Sequence, residues 1–228
     1  MPSSAQALAR CIEHTLLRPD ATRAEIAKLC REAIEHRFHG VCVNGSRVME
    51  AGQLIQETEL KVITVVGFPL GAMDSDAKRF ETECAIDNGA HEIDAVINVG
   101  WLKEGNHQAV LRELRDIVEA ADERLVKIIL ETGLLTRDEK ILAGHLVQES
   151  GAQFVKTSTG FGPANGTVED VRLLRETVGP KFGIKASGGI RDLATALVMI
   201  EAGANRIGTS HGPGILADPE LKSGIENV

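Results

Sequence analysis

Tyrosine is absent from this chain, tryptophan occurs once, and aromatic residues make up only 3% of 228 positions. A core of this size must therefore be aliphatic, drawn from Val, Ile, Leu and Ala within the 43% of residues that are hydrophobic. Such cores suit parallel strands covered on both faces. Basic runs are also lacking. Lys and Arg number 25 against 33 Asp and Glu, for a formal net charge of −8. Nucleic-acid binding ordinarily needs a basic face, so the balance speaks against that class. An anionic substrate must find its positive charge locally. No CxxC pair occurs among the four cysteines, Cys11, Cys30, Cys42 and Cys84. A chain this long does not need disulfide staples, and reduced thiols in a cytosolic protein are expected. The opening MPSSAQALARC has no apolar h-region, so no signal peptide is expected. No apolar run approaches the roughly 20 residues of a membrane span.

What is present is an alternation. Short β-branched runs fall at 12–16, 40–44, 61–67, 92–98, 126–131, 154–158, 182–187 and 206–209. Helical patterns lie between them, for example at 23–36, 74–88, 106–121, 137–150 and 168–178. Leu111, Leu114, Ile117 and Val118 show the spacing of one apolar helix face. This rhythm predicts βαβ units and a parallel sheet. Eight such units in one domain over residues 1–228 predict a closed (β/α)8 TIM barrel, at close to the usual length. Asp74 and Asp192 stand where they can cap helix starts. In a barrel the reactive groups lie at the C-terminal strand ends.

Two lysines stand out there. The sixth strand reads QFVKTSTGFG and the seventh FGIKASGGIR, which place Lys156 and Lys185 at equivalent positions on neighbouring strands. If both face inward, two ammonium groups share one pocket. A free lysine titrates near about 10.4, too high for a good nucleophile at neutral pH. Desolvation and a neighbouring cation disfavour its charged form. Lowering it by about 3 units corresponds to roughly 4 kcal/mol. The product is a neutral amine able to attack a carbonyl. The bland alternative is that such lysines snorkel at strand ends. On the fourth strand, HEIDAVINVG, alternation puts Glu92, Asp94, Val96 and Asn98 on one face. Asp94 can orient Lys185 and relay protons, or serve only as a structural ion pair. Lys127 and Glu131 on strand five are further inward candidates, with Lys127 lower in the barrel.

Glycine-rich segments follow the last strands, at 158–162, 187–191 and 208–214. Glycine lets backbone approach an anion closely. Barrels often bind phosphate with the loops after strands seven and eight. Gly188, Gly189, Arg191, Gly208 and Ser210 fit that role. Other candidates look bland. His36 and His39 form an HxxH pair that reads as surface, with no carboxylate on the same face. No HExxH motif or carboxylate cluster of metal spacing appears, and GFGPANG lacks the dinucleotide-binding spacing.

The segments IEHTLL, VCVN, VVGFPLG, EIDAVINVG, KIILETG, FVKTSTGFG, GIKASGGIR and NRIGTS, in this order along nearly the whole chain, resemble those of deoxyribose-phosphate aldolases. The resemblance implies a class I aldolase on a TIM barrel. It would cleave 2-deoxy-D-ribose 5-phosphate reversibly to acetaldehyde and D-glyceraldehyde 3-phosphate. Lys156 would form the imine, Lys185 would lower its pKa, and Asp94 would move protons with Lys185 and a water. Gly160, Gly188, Gly189, Gly208 and Ser210 would hold the phosphate. No metal or organic cofactor is expected, since the imine is the electron sink, and a homodimer or other homo-oligomer is expected. Glu13 stands where the family usually has Asp, and His211 where a second serine commonly follows. The C-terminal tyrosine of some members has no counterpart. Two rival readings remain at this level, a non-catalytic sugar-phosphate-binding barrel and a different imine-forming aldolase of the transaldolase type.

Overall fold

The computed structural model describes residues 4–218. Its eight strands are β1 (Ile12–Leu16), β2 (Gly40–Val43), β3 (Lys61–Val66), β4 (Glu92–Val96), β5 (Leu125–Ile129), β6 (Phe154–Lys156), β7 (Gly183–Ser187) and β8 (Arg206–Thr209). They close in sequence order, β8 pairing back onto β1, and every pairing is parallel. The fold is thus the (β/α)8 barrel that the alternation predicts.

The helices are α1 (Ala5–Ala9), α2 (Arg23–His36), α3 (Val48–Ile55), α4 (Ser75–Asp87), α5 (Val99–Lys103), α6 (His107–Ala120), α7 (Arg137–Ser150), α8 (Val168–Val178), α9 (Leu193–Glu201) and α10 (Gly212–Leu216). Local chemistry starts several of them. Thr22 with Glu25, Thr136 with Glu139, and Thr167 with Asp170 form capping boxes on α2, α7 and α8. Asp74 and Asp192 cap α4 and α9 as expected. Each such cap contributes about 1 kcal/mol.

Strands end sooner than the apolar pattern does, and the reason is useful. β6 stops at Lys156, and the two side chains after it bond to the backbone of β7. Thr157 Oγ1 and Ser158 Oγ both donate to the Ser187 carbonyl, at 3.1 and 2.5 Å. β4 stops at Val96, and Asn98 instead caps α5 by accepting from the Trp101 N–H at 3.1 Å. β5 stops at Ile129, after which Glu131 takes a left-handed conformation with φ 55°. Polar residues that extend the sequence pattern therefore shape the barrel mouth.

The apolar mass lies between strands and helices, where Val41, Ile93, Ile128, Leu114, Val147 and Leu174 are all fully buried. Truncating one of these to Ala costs about 2–5 kcal/mol. A separate small cluster of Leu17, Cys42, Ile63 and Val65 is apolar too. The remaining buried side chains are polar or charged.

Candidate active site

Strand alternation and register bring the charged residues together. Cα pairing sets Asp94 beside Lys127, Lys156 beside Lys185, Lys185 beside Arg206, and Glu13 beside Gly208. Asp94, Lys127, Lys185 and Glu13 are fully buried and Lys156 is 2% exposed. A charge removed from water must find partners, and each does. Lys156 Nζ donates to Asp94 Oδ2 at 2.9 Å. Lys185 Nζ donates to the same oxygen at 2.5 Å and to Glu13 Oε2. Lys127 Nζ donates to Asp94 Oδ1 at 3.0 Å and to Glu92 Oε2, and lies 3.5 Å from Glu13 Oε1. Gly208 leaves room for this: a Cβ there would sit 3.0 Å from Lys185 Cε.

The three lysines do not titrate alike. Burial lowers the Lys156 pKa; Asp94 opposes this and the Lys185 cation adds to it, with a net fall below the ordinary lysine value. Burial works against charge on Lys185 as well, but Asp94 and Glu13 outweigh it and hold its pKa well above the ordinary value. Lys127 is raised likewise, burial being overcome by Asp94 and Glu13. Asp94 would rise on burial alone; Lys127, Lys156 and Lys185 pull it well below the carboxylate range. The outcome is one amine whose pKa falls beside two whose pKa values rise. Burial raises the Cys42 pKa, so this thiol within the barrel stays neutral.

Above Lys156 opens a cavity of about 350 Å³. Lys156, Gly160, Gly188, Gly189, Gly208 and Ser210 all line it. Lys185 and Asp94 do not line it, but Asp94 Oδ2 joins both lysines by hydrogen bonds. Gly188 and Gly189 have φ of 90° and 73°, and a Cβ on Gly189 would meet the Asn165 side chain at 2.6 Å. This tight left-handed turn presents backbone to the cavity, as anion binding requires. Arg191 and His211 also line it, and His211 Nδ1 lies 3.0 Å from Ser210 Oγ.

Some positions differ from expectation. His39 is not a surface histidine. Its Nε2 lies 2.7 Å from Glu92 Oε1, with the side chain 17% exposed. His36 is partly buried and stacks on Phe38. Carboxylates do lie near His39, from strands distant in sequence: ligand atoms of Glu13, His39 and Glu92 fall within 4.8 Å of one another. The Lys127 ammonium contacts both carboxylates of that group and already serves as their cation. Glu131 sits at the mouth, where Thr159 Oγ1 and N–H donate to its carboxylate. Arg18 and Asn165, which sequence reasoning missed, line the cavity. Neither carries a sequence signal, since both lie in loops.

A parallel barrel with a buried amine under a glycine-rimmed cavity defines a class of carbonyl-binding lyases on this fold. The chain belongs to the DeoC/LacD family of aldolases, whose model matches residues 11–217. It is 54% identical over 212 residues to a deoxyribose-phosphate aldolase of Alkaliphilus oremlandii, covering 92% of this chain and 96% of that one. Among solved structures it superposes on QR15, an aldolase, with TM-score 0.91 and 38% identity, covering 97% and 99% of the two chains. The tetrameric deoxyribose phosphate aldolase of Aeropyrum pernix matches with TM-score 0.89 and 33% identity, covering 95% and 92%.

Proposed function

We propose that this single-domain barrel cleaves 2-deoxy-D-ribose 5-phosphate reversibly to acetaldehyde and D-glyceraldehyde 3-phosphate through an imine on Lys156. The observation that carries this reading is the Lys156 amine itself: burial lowers its pKa, and it forms part of the cavity wall. The neutral amine adds to the C1 aldehyde, and loss of water gives the imine. Removal of the C3 hydroxyl proton breaks the C2–C3 bond. The electron pair enters the imine as an enamine, and D-glyceraldehyde 3-phosphate leaves. Protonation at C2 and addition of water then release acetaldehyde and restore the amine.

Asp94 and Lys185 serve the proton steps. Asp94 Oδ2 accepts from both Lys156 and Lys185, so a proton has a short route between them through this carboxylate and a water. The phosphate rests on the backbone of Gly160, Gly188, Gly189 and Gly208 with the Ser210 hydroxyl, all of which line the cavity. The similarity to curated deoxyribose-phosphate aldolases above half identity supports the substrate. The tetrameric relative supports a homo-oligomer. No described helix is long and apolar enough to cross a membrane, and a cytoplasmic role in deoxyribose phosphate catabolism fits the family. The test is a cleavage assay with deoxyribose 5-phosphate, following acetaldehyde release. Turnover that disappears in Lys156→Leu supports the reading. Unchanged turnover in that variant, or none in the wild type, contradicts it.

A further inference from the structure

At the lower end of the charge cluster two buried polar atoms lack hydrogen-bond partners, Glu13 Oε1 and Arg206 Nε, and they lie 4.0 Å apart. Arg206 begins β8, its side chain 26% exposed, with its guanidinium 5.8 Å over the Phe154 ring. It pairs in register with Lys185, yet the reaction as described makes no use of it.

We propose that Arg206 is a positioning residue that sets the protonation of Lys156 from the far side of the cluster. This rests on Lys156 being the imine-forming lysine. Ion-pair contacts join unequal numbers of formal charges in this cluster. Lys127, Lys156, Lys185 and Arg206 face Glu13, Glu92 and Asp94. Four cations meet three carboxylates, and a low-dielectric interior penalises the surplus. His39 also faces this cluster, its Nε2 2.7 Å from Glu92 Oε1.

One proton must leave, and contact decides which. The guanidinium cannot release one. Lys127 contacts all three carboxylates and Lys185 two, whereas Lys156 contacts Asp94 alone. Lys156 is therefore the group that yields. Without Arg206 the count is three against three, and Lys156 keeps its proton.

The experiment measures imine formation against pH, by trapping acetaldehyde with borohydride and mapping the adduct by mass spectrometry. In Arg206→Gln the midpoint of trapping at Lys156 should move up by about one pH unit, a roughly tenfold loss of reactive amine below it. Arg206→Lys should return most of the shift. Arg206→Met removes the same charge with an apolar side chain and should move the midpoint up as well, which keeps the test decisive if Arg206→Gln does not fold. A purely structural Arg206 lowers the melting temperature and leaves the midpoint in place, which overturns the proposal. An adduct on another lysine instead overturns the reading of Lys156 on which it rests.

Discussion

Two buried lysine systems in this molecule use the same groups to opposite ends. Between α4 and α6, Lys78 Nζ donates to Glu113 Oε1 at 2.7 Å and to the Val96 carbonyl at 2.9 Å, and Ser75 Oγ donates to Glu113 Oε2 at 3.2 Å. Both side chains are fully buried, and no cavity reaches them among the described pockets. Burial lowers Lys78 and raises Glu113, and each moderates the shift of the other. One cation meets one anion, so the pair is closed. Inside the barrel the cations outnumber the carboxylates, and one of them opens onto the 350 Å³ cavity. A depressed lysine pKa is thus common to both places. Reactivity comes from surplus charge together with access.

That contrast can be broken from either side. The largest effect is expected for Lys156→Leu, with turnover falling by on the order of a thousandfold or more while the far-ultraviolet circular dichroism stays near wild type. Lys185→Leu should cost on the order of a hundredfold, because removing a cation lets Lys156 keep its proton. A near-wild-type rate would remove Lys185 from the account. In the closed pair the loss should appear as stability instead. Glu113→Gln strands a buried ammonium and should cost about 3 kcal/mol in urea unfolding, with the pH midpoint of imine trapping unmoved.

Acid should expose the cluster next. Burial opposes ionisation of Glu92, but the His39 hydrogen bond and the Lys127 ammonium overcome it and hold the pKa down to about 2. A carboxyl depressed from its unfolded value of about 4.3 contributes stability above that pH and loses it as pH falls toward 2. The full contribution is about 3 kcal/mol. Glu92→Gln should flatten the acid limb of a stability–pH curve, and an unchanged limb would contradict the shift. The smallest effect is expected at the rim. Ser210→Ala should raise KM for the phosphorylated sugar several-fold with kcat nearly unchanged, from loss of one hydrogen bond of about 1 kcal/mol.

The fold was legible because its signal is periodic. The eight β-branched runs and the capping Asp74 and Asp192 act locally, and they land within a few residues of the observed elements. The paired lysines were legible for the same reason, since alternation alone aims Lys156 and Lys185 at one interior. What the sequence hid is everything decided by closure. His39 looks like a surface residue until β2 and β4 bring it to Glu92, 53 positions away. Glu13 meets Lys185 across 172 positions, through the β8–β1 seam that shuts the barrel. Lys78 falls on a helix whose pattern gives no hint that it points inward. Strand ends were overrun because Thr157, Ser158 and Asn98 extend the pattern in sequence but turn to bond backbone in space.

Both lysine systems can be put to one trial. The intact protein is incubated with acetaldehyde, reduced with borohydride and mapped by mass spectrometry, which leaves an ethyl group on any lysine that formed an imine. The account expects the adduct on Lys156 and none on Lys78, Lys127 or Lys185. No adduct on Lys156, or a scatter over surface lysines, would contradict it.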